Sequence, residues 1–167
     1  MSEPNVELLE PLLAKGAIAG AASKDGATPL QLAATHGHLA LVTALLEAGA
    51  AVDPKDVCDQ TPLLAAAEAG HRPVCEALLE AGAELEAADV NGWTPLVHAC
   101  AAGHAELAEL FVSRGADPER KTRGERSCRR LQPSFFEPGG VVVVALQKLA
   151  DAKAAAEAEA AEGAEAE

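Results

Sequence analysis

The 167-residue chain is predicted to be all-α, a solenoid of stacked helix–turn–helix units joined by short β-hairpin loops. Three observations lead there. A motif recurs at a fixed interval of 33 residues, and the apolar residues inside each interval follow helical spacing. The side chains are also small: the chain is 49% hydrophobic but only 2% aromatic, with no Tyr, one Trp and three Phe. Alanine, leucine and valine must therefore build the core, which suits closely stacked helices better than a β-sandwich.

The repeat is explicit. Thr28-Pro29-Leu30 returns as Thr61-Pro62-Leu63 and as Thr94-Pro95-Leu96, each followed nine residues after its threonine by Gly-His, at Gly37-His38, Gly70-His71 and Gly103-His104. Further along, Leu45-Leu46 and Leu78-Leu79 precede Gly49-Ala50 and Gly82-Ala83, while Leu110-Phe111 precedes Gly115-Ala116. Thr28 can cap a helix by accepting from a first-turn amide, and Pro29 then falls at the first helical position, where its missing N–H costs little. Leu30, Ala33 and Ala34 share one face of that helix, and Gly37 supplies the left-handed backbone that ends it. A second helix runs back from His38 to about Ala48 with Leu41, Val42, Leu45 and Leu46 on its apolar face, and Gly49 stops it. The polar stretch up to the next threonine is an extended connection able to form a hairpin.

These residues resemble the ankyrin repeat, whose pattern TPLxxAAxxGHxxxVxxLLxxGA is nearly met by Thr28–Ala50 and largely by the two later copies, over Ser23–Asp117. The resemblance implies repeats at 23–55, 56–88 and 89–119. A solenoid needs closed ends. Leu12-Leu13-Ala14-Lys15-Gly16-Ala17 lies one period before Leu45–Ala50, so residues 1–22 read as a partial N-terminal capping repeat, with Pro11 inside its helix at 4–17 costing ~3 kcal/mol unless the helix restarts there. At the far end the period calls for Thr-Pro-Leu at 127–129, where Ser127-Cys128-Arg129 stands instead. Gly139-Gly140, Val142, Val143, Leu146 and Leu149 nonetheless follow the order of a second helix. Residues 120–152 read as a basic link and degenerate capping repeat, or alternatively as a linker and separate helix. Residues 153–167, Ala- and Glu-rich without a large apolar side chain, read as a solvated tail.

No catalytic pattern of the Gly-x-Ser-x-Gly, phosphate-loop or His-Glu-x-x-His kind occurs, and neither a metal nor another cofactor is expected. His38, His71 and His104 recur once per repeat, too widely spaced for one metal ion, and read as bridges between neighbouring loop backbones. His98 reads as a satisfied polar group. Cys58, Cys75, Cys100 and Cys128 form no Cys-x-x-Cys pair, and reduced thiols are expected, Cys75 and Cys100 as small core residues. Cys58 lies at a hairpin tip, either an incidental thiol or a redox-sensitive one.

Formal net charge is −13, which argues against nucleic-acid binding. The one basic island, Arg120-Lys121-Thr122-Arg123-Gly124-Glu125-Arg126 with Arg129-Arg130, reads as a solvated link, as an import signal or as a patch for an acidic partner. No apolar run approaches the ~20 residues of a membrane span, and a monomeric cytoplasmic protein is expected, with nuclear entry as the alternative.

The resemblance implies a protein-interaction module, an adaptor, scaffold or inhibitor, binding a partner protein through hairpin tips and the exposed side of the first helices. A nuclear or transcriptional regulatory cofactor that uses residues 120–130 for import is the competing reading, and an enzyme is disfavoured. Carried onto this sequence, the binding positions are Lys24, Asp25, Ala27, Thr35 and His36 in the first unit, then Lys55, Val57, Cys58, Gln60, Glu68 and Ala69. The third unit contributes Ala88, Val90, Asn91, Trp93, Ala101 and Ala102. Trp93 is either the anchor for the partner or a cover for the adjacent hairpin. Two positions depart from the family pattern. Asp59 stands where Gly26 and Gly92 do, and Asp53, Glu86 and Glu119 stand where many members carry a hydroxylated asparagine.

Overall fold

The computed structural model describes residues 22–151. The predicted helix at 4–17 and the tail at 153–167 lie outside the described residues. Within the described residues, helices come in antiparallel pairs: α1 (Pro29–Thr35) with α2 (Leu39–Glu47), α3 (Pro62–Ala69) with α4 (Arg72–Glu80), and α5 (Pro95–Ala102) with α6 (Ala105–Ser113). A four-residue helix α7 (Cys128–Leu131), a 3-10 turn (Pro133–Phe136) and a helix α8 over 141–151 follow. The first helices stack in an inner row, α1 on α3, α3 on α5 and α5 on α7, and α2 packs on α4 in an outer row.

The Thr-Pro-Leu motif starts each inner helix as its chemistry requires. Thr28, Thr61 and Thr94 are extended at the N-cap, and their hydroxyls accept from the amides of Gln31, Leu64 and Val97 at 3.3, 3.3 and 3.4 Å. Gln31 answers by accepting the Thr28 amide at 2.9 Å, closing a capping box. The inner helices stack closely because their shared faces carry small side chains. Ala33, Ala34, Ala66, Ala67, Ala99 and Cys100 are buried, with Leu30, Leu63 and Leu96 filling the layer beneath. The outer row adds Val42, Leu45, Val74, Leu78, Leu107 and Phe111 to one continuous core that extends to Phe135, Val142 and Ala145.

The recurrent histidines join neighbouring repeats. His71 donates from Nε2 to the Thr35 carbonyl at 3.1 Å, and His104 to the Glu68 carbonyl at 3.2 Å. A carbonyl can only accept, so Nε2 carries the proton in both. Each ring lies against the loop glycine of the preceding repeat: a Cβ on Gly70 would come within 2.7 Å of the His104 ring. The acids at the asparagine position serve a parallel purpose. Asp53 accepts the Glu84 amide at 2.9 Å and Glu86 accepts the Asp117 amide at 3.0 Å, each tying its own repeat to the next.

One expectation fails. Cys100 and Cys128 form a disulfide, with Cα atoms 5.5 Å apart, so these two are not reduced thiols. The 33-residue period explains the meeting: Cys100 occupies the place of Ala34 and Ala67 on the inner helix, and Cys128 the place of Pro62 and Pro95 at the start of the next one. Sequence separation hid two positions that adjoin across the seam between units. Cys58 and Cys75 are free, the first exposed and the second buried, and burial, helped by Glu76, pushes the Cys75 thiol up to about 12.

Candidate protein-binding site

Four equivalent tips stand before the first pair, between successive pairs and after the third. In each, a first residue with an oxygen-bearing side chain closes a tight turn, with main-chain bonds Ser23 N to Ala27 O, Asp56 N to Gln60 O, Asp89 N to Trp93 O and Thr122 N to Arg126 O, at 2.9–3.3 Å. The side chain reinforces the turn. Asp56 Oδ1 accepts from the amides of Cys58 and Gln60, and Asp89 Oδ1 from those of Asn91 and Trp93, all at 2.8–2.9 Å. The fourth residue of each turn is left-handed, at Gly26, Asp59, Gly92 and Glu125. Asp59, with φ of 57°, therefore keeps the common turn and carries its strain instead of turning differently.

Neighbouring tips are stitched by single main-chain bonds: Val57 N to Asp25 O, Val90 N to Cys58 O, and Arg123 N to Asn91 O, at 3.0–3.1 Å. No strand forms among the described residues. The predicted β-hairpins are turns of this kind, because the tight bend leaves a middle tip only one donor and one acceptor directed at its neighbours.

Along this row the predicted residues divide. Lys24 and Asp25 are exposed at the first tip, Lys55, Val57 and Cys58 at the second, and Val90 and Asn91 at the third, whereas Gln60 and Trp93 are half-buried. Val57 is 71% exposed and contributes nothing to the core. Gln60 reaches Glu68 on α3 at 3.3 Å, which brings those two together. Its carbonyl also receives the Gln31 amide. Thr35 and His36 instead bond back to carbonyls of their own helix, Gln31 and Leu32, at 2.9 and 2.8 Å. His36 lines a depression of about 320 Å³ with Pro29, Leu32, Ala33, His38 and Leu41, apart from the Trp93 side of the row. Ala69, Ala101 and Ala102 are exposed, and Ala27 and Ala88 are half-buried.

Trp93 has two contacts of its own making. Its ring tilts onto His98, centroids 5.1 Å apart, and His98 in turn donates to Asp89 Oδ2 at 3.3 Å, so the histidine is a satisfied, buried group that backs the indole. On its other side Trp93 shares an open cleft of about 300 Å³ with Asn91, Thr122, Arg123, Gly124 and Arg126. Arg123 and Arg126 belong to the basic island, one reading of which is a patch for an acidic partner, but they are not among the tip positions carried over from the family. The signal was available, because they stand one period after Val90 and Trp93. Among the described residues no group of His, Cys, Asp and Glu is arranged to hold a metal ion, and no helix is long and apolar enough to cross a membrane.

Paired helices at a 33-residue period, left-handed glycines between them and a row of linked tips define a repeat protein whose exposed surface is a platform. A family model for ankyrin repeats, in three copies, matches residues 1–89 and again 52–122, and the chain belongs to the ankyrin-repeat family. Ankyrin repeats are in general protein–protein interaction modules, bind protein partners and are typically non-enzymatic. No curated protein matches the chain.

Proposed function

We propose that this chain holds a segment of a partner protein across its tips, as a monomeric adaptor, scaffold or inhibitor that performs no chemistry of its own and binds no nucleic acid. The observation that carries this reading is the apolar middle of the tip row. At equivalent positions stand Lys24, Val57, Val90 and Arg123, so two exposed valines are displayed on turns whose backbones are already tied down. A rigid, pre-ordered surface loses little entropy when a partner settles on it. Trp93 is the aromatic element beside them, and Lys24, Asp25, Cys58, Gln60, Glu68 and Asn91 form the polar rim, with Thr35 and His36 at its edge.

The test compares the full chain with a Val57→Asp, Val90→Asp variant in quantitative affinity purification. Both sites are exposed, so melting should stay within about 0.5 kcal/mol of the parent. Specific proteins retained by the parent and lost from the variant are expected. Equal recovery of every protein by the two chains would sink the reading.

A further inference from the structure

We propose that the cleft between the third and fourth tips receives an acidic segment of the partner, with a carboxylate on Arg123 and Arg126 and a large apolar side chain against Trp93; this rests on the tip-row reading above. Among the described residues no acidic side chain lines this cleft. Of the other cations in this stretch, Arg120 is paired with Glu86 and Arg129 with Glu119, both at 2.7 Å, and Lys121 and Arg130 do not line the cleft. Arg123 and Arg126 have no carboxylate within ion-pair range among the described residues. The indole N–H of Trp93 and the guanidinium groups are all donors; of the nearby acids Asp89 and Glu86 are occupied elsewhere, and Glu125 of the same turn is exposed and does not line the cleft.

The arrangement is also held in place. The Arg123 amide is bonded to the Asn91 carbonyl, its stem lies over Gly92, and Trp93 rests on His98. Water-exposed donors on an anchored backbone beside an aromatic wall suit a carboxylate and its apolar neighbour, because bidentate guanidinium geometry rewards the first and indole area the second. The chain's own tail at 153–167 is acidic but has no large apolar side chain, so it answers only half of the cleft.

Trp93 is the sole Trp in a chain without Tyr, so its emission reports on the cleft directly. The full chain is titrated with three peptides of equal charge: Asp/Glu residues around a central Leu, the same with Ala for Leu, and the tail sequence 153–167. A saturable change with the Leu peptide is expected, weaker by about tenfold for the Ala and tail peptides and for an Arg123→Gln, Arg126→Gln variant, and reduced by salt. Arg114→Gln, an exposed basic residue elsewhere, should bind as the parent does. Equal affinity for the tail peptide would make the cleft a seat for the chain's own terminus and overturn the proposal, as would no saturable change or no effect of the arginine pair. If the Val57, Val90 variant loses its partners while the arginine variant keeps them, the tip-row reading stands and this one fails.

Discussion

Replacing Gly70 by alanine tests the joint between the second and third repeats. At a φ of 82° an L-residue is strained, at about 1–2 kcal/mol. The added Cβ would also stand 2.7 Å from Cε1 and 2.8 Å from Nε2 of His104, so the ring must retreat and release the Glu68 carbonyl, a further ~0.5–1.5 kcal/mol. The expected loss is about 2–3 kcal/mol. Gly82, with φ of 90° and nothing within 4 Å of its would-be Cβ, is the control, because alanine there adds the backbone strain alone. Equilibrium urea unfolding followed by Trp93 emission and circular dichroism gives both losses. In the Gly70→Ala, His104→Ala double variant the clash disappears, so the two losses should fall short of additive by about 1 kcal/mol. Equal losses at Gly70 and Gly82, or strict additivity in the cycle, would refute the claim that the histidine ring and the glycine form one joint.

Two other outcomes follow from the cysteines. Alkylation of the native, unreduced chain should modify Cys58 alone, denaturation should add Cys75, and Cys100 and Cys128 should react only after reduction; four adducts in denaturant without reductant would dismantle the pair. For Cys75 both states keep the proton below pH 9, whereas between 9 and about 12 only the unfolded chain releases it. Its contribution to stability should therefore fall by about 1.4 kcal/mol per pH unit over that window, a slope that Cys75→Ala removes from the parent's urea midpoints and whose absence in the parent would contradict the burial of the thiol.

The repeats were legible because each mark has a local physical cause. Threonine caps, proline starts and left-handed glycines stops act within one turn of helix, so Thr28, Pro29 and Gly37 could be read in place. What spans two repeats was harder to see. The bridging by His71 and His104 was foreseen from its recurrence, but the disulfide was not, since Cys100 and Cys128 become neighbours only once their positions are reduced to one period. The same holds for the cleft. Residues 120–126 read from the sequence as a solvated link, an import signal or a patch for an acidic partner, and none of these shows that Thr122 and Glu125 keep the turn of Asp89 and Gly92. The role of His98 under Trp93 depended on side-chain directions that no spacing rule supplies.

The joints between repeats also set where the chain can change length. Each tip bond runs between residues 32 apart and each histidine bridge between residues 36 apart. One residue inserted between Thr28 and Gly37 would leave the later repeats internally intact but move one donor away from its acceptor at every joint it interrupts. After Leu131 the constraint ends: Gln132, not a histidine, lies against Gly103, and the turn at Pro133–Phe136 departs from the pattern of the earlier units. Length variation among descendants of this sequence should therefore collect between Leu131 and Gly139, leaving the spacing of the tips untouched.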